Sequence, residues 1–182
     1  MSPEDRERFP SVDVRLKDGR SASLRLLRHD DGEGLAAMYE GLPAEAARFY
    51  WPHPLERDQA LANASRADSP TEVVLVMATP DEAVGGYAWY RWSDETSTAS
   101  VFGICIARDY QSCGAGGVLM TRLLEIAHDI GPATMLLTCQ HANTRAVTLY
   151  QKMGFKITKE GVTGQRRMWA PEPQYWMERS VR

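Results

Sequence analysis

The sequence predicts an α/β (α+β) domain built on a mixed central sheet, and three features carry that expectation. Short apolar runs separated by tight turns recur over residues 12–27 and 72–107, the pattern of consecutive antiparallel strands. At Gly116 the hydrophobic period changes from that of a strand to that of a helix. A buried run at 135–138 follows that helix, and a crossover of this kind lays it parallel to the strand before it.

Taken in order, residues 1–11 are highly charged and end at Pro10, which predicts a flexible arm ahead of a single domain over 12–182. Residues 12–16 and 22–27 alternate apolar and polar about Asp18 and Gly19, a hairpin signal. Asp30 and Asp31 are placed to cap a helix through Leu35, Met38 and Tyr39, stopped by Gly41 and Pro43. A second helical stretch, 44–66, is interrupted by Pro52 and Pro54. Strands are expected at 72–78, 84–92 and 97–107. The helix from Gly116 carries Leu119, Leu123, Ile126 and Ile130 on one stripe and ends at Gly131 and Pro132. Asn143 caps a short helix whose apolar positions are Ala146, Leu149, Tyr150 and Met153, closed by Gly154. Strands at 155–159 and around Tyr175 complete the chain, with the pairing of 161–174 left open by its glycines and prolines.

Bulk properties narrow the function. The 182 residues are 43% hydrophobic and 25% charged, with a net charge of −3, so nothing draws the chain toward nucleic acid or an anionic membrane. Three separated cysteines suggest no disulfide framework, and the charged N-terminus has no signal-peptide core. No apolar run approaches the ~18 residues of a membrane span. The expected location is cytoplasmic.

The chemistry concentrates where the strand ending at Ile106 runs into Gln111, Ser112, Cys113, Gly114, Ala115, Gly116 and Gly117 and then into the long helix. Glycines at a helix start let backbone N–H groups approach an anion, and the helix dipole favours negative charge there. Neither the P-loop pattern nor Gly-x-Gly-x-x-Gly fits, so the segment predicts a phosphate or pyrophosphate site of another kind.

Gln111-x-x-Gly114-x-Gly116, between strand and helix, resembles the acyl-CoA signature of the GNAT superfamily of N-acetyltransferases. A second segment, Asn143-x-x-Ala146-x-x-Leu149-Tyr150-x-Lys152-x-Gly154-Phe155, is similar to that family's at the expected distance. The resemblance implies helices on both sheet faces and a parallel pair splayed at the coenzyme site. It implies that amides from Cys113 to Gly117, with Ser112 and the Gln111 side chain, hold the pyrophosphate of acetyl-CoA. Ile104, Cys105 and Ile106 would then bond the pantetheine arm, Asn143 would touch the coenzyme, and Tyr150 would face the acyl sulfur as catalytic acid. One departure stands out. Many members carry a glutamate where this chain has Val101, and no carboxylate lies on 100–106, which leaves the base open among a carbonyl–water relay, Asp94 and Glu95.

The implied reaction is direct transfer from acetyl-CoA, as co-substrate and without a metal, to a primary amine of a small molecule or peptide. A homodimer is left open, and neither nucleic acid nor membrane is expected as a partner. The alternatives are a non-catalytic acetyl-CoA sensor and a protein lysine or N-terminal acetyltransferase. Cys139, His141 and Asn143 also invite a cysteine-nucleophile reading, and Cys139, His141 and His53 a zinc site lacking any four-ligand spacing. Aromatic residues at 49–51 and 87–92 supply core area and could line an acceptor pocket, where Arg48, Arg166 and Arg167 could read an acidic acceptor.

Overall fold

The computed structural model describes residues 3–164 and 170–182. Arg166 and Arg167 lie outside the described residues. One eight-stranded sheet runs through the molecule in the order β1-β2-β3-β4-β5-β6-β8-β7. Strands β1 (Val12–Arg15) and β2 (Ser21–Leu26) form the expected hairpin, followed by β3 (Glu72–Ala78), β4 (Val84–Arg91) and β5 (Ala99–Ile106), all paired antiparallel. After α5 (Ala115–Asp129), strand β6 (Thr134–Gln140) returns parallel to β5. The right-handed crossover preference thus meets a helix whose Leu119, Met120, Leu123 and Ile126 are all fully buried. Each such side chain contributes roughly 1.5–3 kcal/mol by leaving water.

Strand β3 shows why the middle of the sheet has no polar face. Its Val73, Leu75 and Met77 pack with α5, while Val74 and Val76 pack on the other side with Leu35 and Tyr39 of α2 (Gly32–Glu40) and Ala60 of α4 (Arg57–Ala64). Side chains alternate across a strand, so a strand covered on both faces is apolar throughout. The interrupted helical stretch resolves into α3 (Ala44–Ala47) and α4, with both prolines in the connection.

Three local arrangements differ from the sequence reading or were left open by it. Asp31 stands at the N-cap of α2 but makes no side-chain cap bond; its carboxylate takes two bonds from the buried Arg25 guanidinium, at 2.6 and 2.7 Å, and one from the Arg28 amide at 2.7 Å. The charged segment before Val12 contains a short helix, α1 (Pro3–Arg8), docked through Arg6 on the carbonyls of Leu27 and Ala67 at 3.0 and 2.9 Å, with Phe9 buried behind it. The last strand, β8 (Pro173–Ser180), is inserted between β6 and β7 (Lys156–Val162), antiparallel to both. Thr163 and Glu172 close the described ends of their connection, the Thr163 amide donating to the Glu172 carbonyl at 2.8 Å.

Candidate functional site

The site begins where the sheet comes apart. Strands β5 and β6 pair only through Ala99 with Thr134, Ser100 with Met135, and Val101 with Leu136. Beyond that point β5 continues to Ile106 and β6 to Gln140, each still bonded on its far side to β4 or β8. A gap therefore opens inside the sheet, and two cavities meet at it.

The first, about 550 Å³, is walled by Ile104, Cys105 and Ile106 of β5, by the loop after it, and by α6 (Thr144–Lys152). Gln111, Ser112 and Gly114 through Gly117 all line it. Gly114 has φ +92, a backbone position that a side chain would strain, and Ser112 shares the left-handed region at φ +67. Together they reverse the chain so that α5 starts with its N-terminus on the cavity. The Gly114 carbonyl accepts from the Gly117 and Val118 amides at 3.0 and 3.2 Å. The first-turn amides of Ala115 and Gly116 have no acceptor within the helix. Donors of this kind beside a bare glycine are what an anionic oxygen needs, so the cradle fits a pyrophosphate.

Two predicted residues sit differently from expectation. The Gln111 side chain turns back and donates to the Ile106 carbonyl at 3.1 Å, tying the loop to the strand. Cys113 does not reach the cavity wall; it is buried, its thiol pointing to the Tyr110 carbonyl at 2.9 Å and its own carbonyl accepting from the Lys17 amide at 2.9 Å. The tip of the β1–β2 hairpin thus grips the loop from behind. Arg20 adds a bond to the Asp109 carbonyl at 2.7 Å and lies 4.0 Å over the Tyr110 ring.

On α6, Asn143 does cap the helix, its Oδ1 accepting from the Ala146 amide at 3.3 Å, and it lines the first cavity as well. Seven residues on, at the spacing that returns to the same helix face, Tyr150 lines both cavities. It stands edge-on to Phe102 of β5, ring centroids 6.0 Å apart, and against Phe155. Burial pushes its phenol well above the ordinary range, so the hydroxyl stays protonated, and among the described residues no protein group bonds it. Arg145, which the sequence did not single out, also lines the first cavity and donates to Ser112 Oγ at 2.8 Å. A cation two residues past the cap of a helix facing a glycine loop was the available signal.

The second cavity, about 890 Å³, opens on the other side of Tyr150, between the parting strands. Phe49, Tyr50, Trp51, Trp89, Trp92 and Trp176 form much of its wall. Tyr87 and Tyr90 are instead fully buried core. The wall is braced by a chain of polar bonds. Trp89 Nε1–H donates to Tyr50 Oη at 3.0 Å, and Tyr50 Oη lies 2.9 Å from His53 Nε2. His53 Nδ1 is 2.8 Å from the Pro54 carbonyl, which can only accept, so Nδ1 carries the proton and Nε2 receives the Tyr50 hydroxyl and the Asn63 amide. Burial lowers the His53 pKa, in keeping with a neutral ring.

The remaining readings are weighed by geometry. Burial pushes the Cys139 thiol up to about 12, far from a reactive thiolate. His141 stacks on Tyr175 at 3.8 Å between centroids. Among the described residues, no three His, Cys, Asp or Glu side chains are grouped as a metal ion would require. Arg48 is paired with Glu172 at 3.3 Å. Asp94 accepts the Thr96 amide and hydroxyl at 2.9 and 2.6 Å within its turn. Strand β5 carries no carboxylate, and Val101, half exposed, lines the second cavity. No described helix is long and apolar enough to cross a membrane.

Residues 35–155 match the model of the acetyltransferase (GNAT) family. The chain is similar to a mycothiol acetyltransferase of Rhodococcus opacus (strain B4), 30% identical over 144 residues, which cover 74% of this chain and 45% of that protein. The matched stretches span about half or less of the length of such curated relatives. In fold it is similar to yncA of Salmonella typhimurium, solved with its cofactor acetyl-CoA: TM-score 0.75, 19% identity, 88% of this chain and 94% of that one. It is also similar to the spermidine N-acetyltransferase of Vibrio cholerae solved with CoA and spermine: TM-score 0.71, 19% identity, 88% and 95%. A family match spanning most of the chain, with the glycine loop and the parted strands in the matched order, leads to one conclusion: the chain belongs to the GNAT acetyltransferase family.

Proposed function

We propose that the protein transfers an acetyl group from acetyl-CoA directly to a primary amine. The observation that carries this reading is the meeting of two cavities at Tyr150, one floored by the glycine loop and the other walled by aromatic side chains. The amides of Ala115 and Gly116, with Gly114 leaving room and Arg145 supplying positive charge, hold the pyrophosphate. The open edge of β5 at Ile104, Cys105 and Ile106 offers backbone groups to the pantetheine arm. Asn143 orients the start of α6 against the same ligand.

The acceptor amine, neutral and held in the second cavity, attacks the thioester carbonyl, and the C–S bond breaks as the C–N bond forms. Proximity in a shared gap supplies much of the rate. A backbone N–H at the open edge of β5 is available to the developing oxyanion. Tyr150 donates its O–H to the departing sulfur, and its raised pKa makes it a hydrogen-bond donor that does not ionise beforehand. The amine's own proton goes to solvent, since no carboxylate lies on β5 to take it, and a proton returned from solvent restores the Tyr150 hydroxyl.

A second reading, a sensor that binds acetyl-CoA without turnover, draws on that missing carboxylate. Thiol release from acetyl-CoA in the presence of an amine separates the two. Binding is tested by a thermal shift on adding acetyl-CoA. Gly116→Glu, which puts bulk and negative charge into the cradle, should abolish the shift. A folded Gly116→Glu protein that still binds acetyl-CoA like the parent refutes this placement.

A further inference from the structure

The second cavity has a chemical character that selects among amines. Aromatic side chains make up much of its wall, among them Phe49, Tyr50, Trp51, Trp89, Trp92 and Trp176. Arg91 is the one charged side chain among its described lining residues, and none of them is a carboxylate. Arg91 lies 3.9 Å over the Trp89 ring and bonds Glu72 at 2.8 Å. Glu72 is buried, and Arg66 shares it at 3.2 Å. Two guanidiniums share that one carboxylate, and of the two Arg91 brings its charge to the cavity wall.

Such a pocket is poorly suited to a polyamine or a lysine side chain. Each arrives as a cation, and here it would meet Arg91, a like charge stacked on Trp89, with no acid among the described lining residues to pair with. Desolvation and a neighbouring cation both disfavour the ammonium form. The same environment suits an amine that is weakly basic or easily neutralised and carries a flat ring able to stack on tryptophan. It also removes the need for a strand carboxylate to deprotonate the nucleophile before attack, which accounts for Val101 at a position where many family members place a glutamate. We infer that the acceptor is a weakly basic aromatic primary amine, an arylamine, held by stacking in the cavity between β5 and β6. This inference rests on the acetyltransferase reading and narrows its acceptor.

The test compares acetyl-CoA-dependent thiol release for aniline and 4-methylaniline against spermidine and a lysine-containing peptide. Calorimetry of acetyl-CoA binding and quenching of tryptophan fluorescence by each amine are measured on the same protein. The expected result is a kcat/KM for at least one aromatic amine tenfold or more above that for spermidine, with quenching by the aromatic amines alone. In Val101→Glu, which places a carboxylate on the exposed wall, the spermidine to aniline ratio should rise at least fivefold. Equal or better turnover of spermidine or the peptide overturns the inference. So does normal acetyl-CoA binding without quenching or turnover by either aromatic amine, or an unchanged ratio in the variant. Loss of acetyl-CoA binding itself would instead strike the acetyltransferase reading.

Discussion

Replacing Tyr150 by phenylalanine removes one oxygen atom and leaves the ring where Phe102 and Phe155 hold it. The cost to stability follows from what the hydroxyl touches. A net hydrogen bond is worth about 0.5–1.5 kcal/mol, but the Tyr150 hydroxyl makes none among the described residues, so the variant should melt within about 1 kcal/mol of the parent. Binding of acetyl-CoA should likewise change little, since the pyrophosphate cradle is built from the loop and α6. Catalysis should change much more. A positioned general acid is worth roughly 10²–10⁴ in rate, or about 2.7–5.4 kcal/mol of barrier. The assay is thiol release at saturating amine, read beside a thermal melt and an acetyl-CoA titration. A folded, coenzyme-binding variant with unchanged kcat would show that the thiolate leaves unassisted and that Tyr150 serves packing alone. Lost binding with normal folding would make it a binding residue instead.

Three further outcomes are expected. Cys139→Ala should keep at least a tenth of the activity, because a thiol at about 12 contributes packing only; an acyl-enzyme on Cys139 detected by mass spectrometry would contradict direct transfer. His53 has a folded pKa below its unfolded value near 6.5, so its contribution is present above that pH and is lost as pH falls through it; the Tm advantage over the non-titrating His53→Gln should therefore shrink from pH 7.5 to 5, and a constant gap would mean His53 is not held neutral. Gly103→Ala should destabilise by about 1–3 kcal/mol, since its Cβ would sit 2.4 Å from the Trp89 ring; an unchanged melt would mean the indole moves freely.

What the sequence made legible was local. The strands at 72–78 and 84–92 and the helix from Gly116 stand out because side-chain period and turn residues sit within one short window, and the glycine loop is contiguous for the same reason. Tyr150 and Asn143 come within reach through their shared helix face. What stayed hidden depends on segments far apart in the chain. Trp89 meets Tyr50 across 39 residues, and Lys17 reaches the Cys113 carbonyl from the first hairpin. Nothing near either residue announces its partner. The insertion of β8 between β6 and β7 is a matter of edge pairing, which strand propensity does not encode. Asp31 illustrates competition: a good local cap was outbid by a bidentate partner on a neighbouring strand.

The short pairing of β5 with β6 also has a mechanical side. Two leaves, β1–β5 and β6–β8, are stitched by three residue pairs at one end and lie open at the other. Backbone pairing holds the stitched end, and toward Ile106 and Gln140 side chains such as Phe102, Tyr150 and Phe155 pack between the leaves instead. A guest that bonds both margins completes the fabric for as long as it stays and restores compliance when it goes. Such a molecule carries its own seam, loosened and tightened once in every cycle of occupancy.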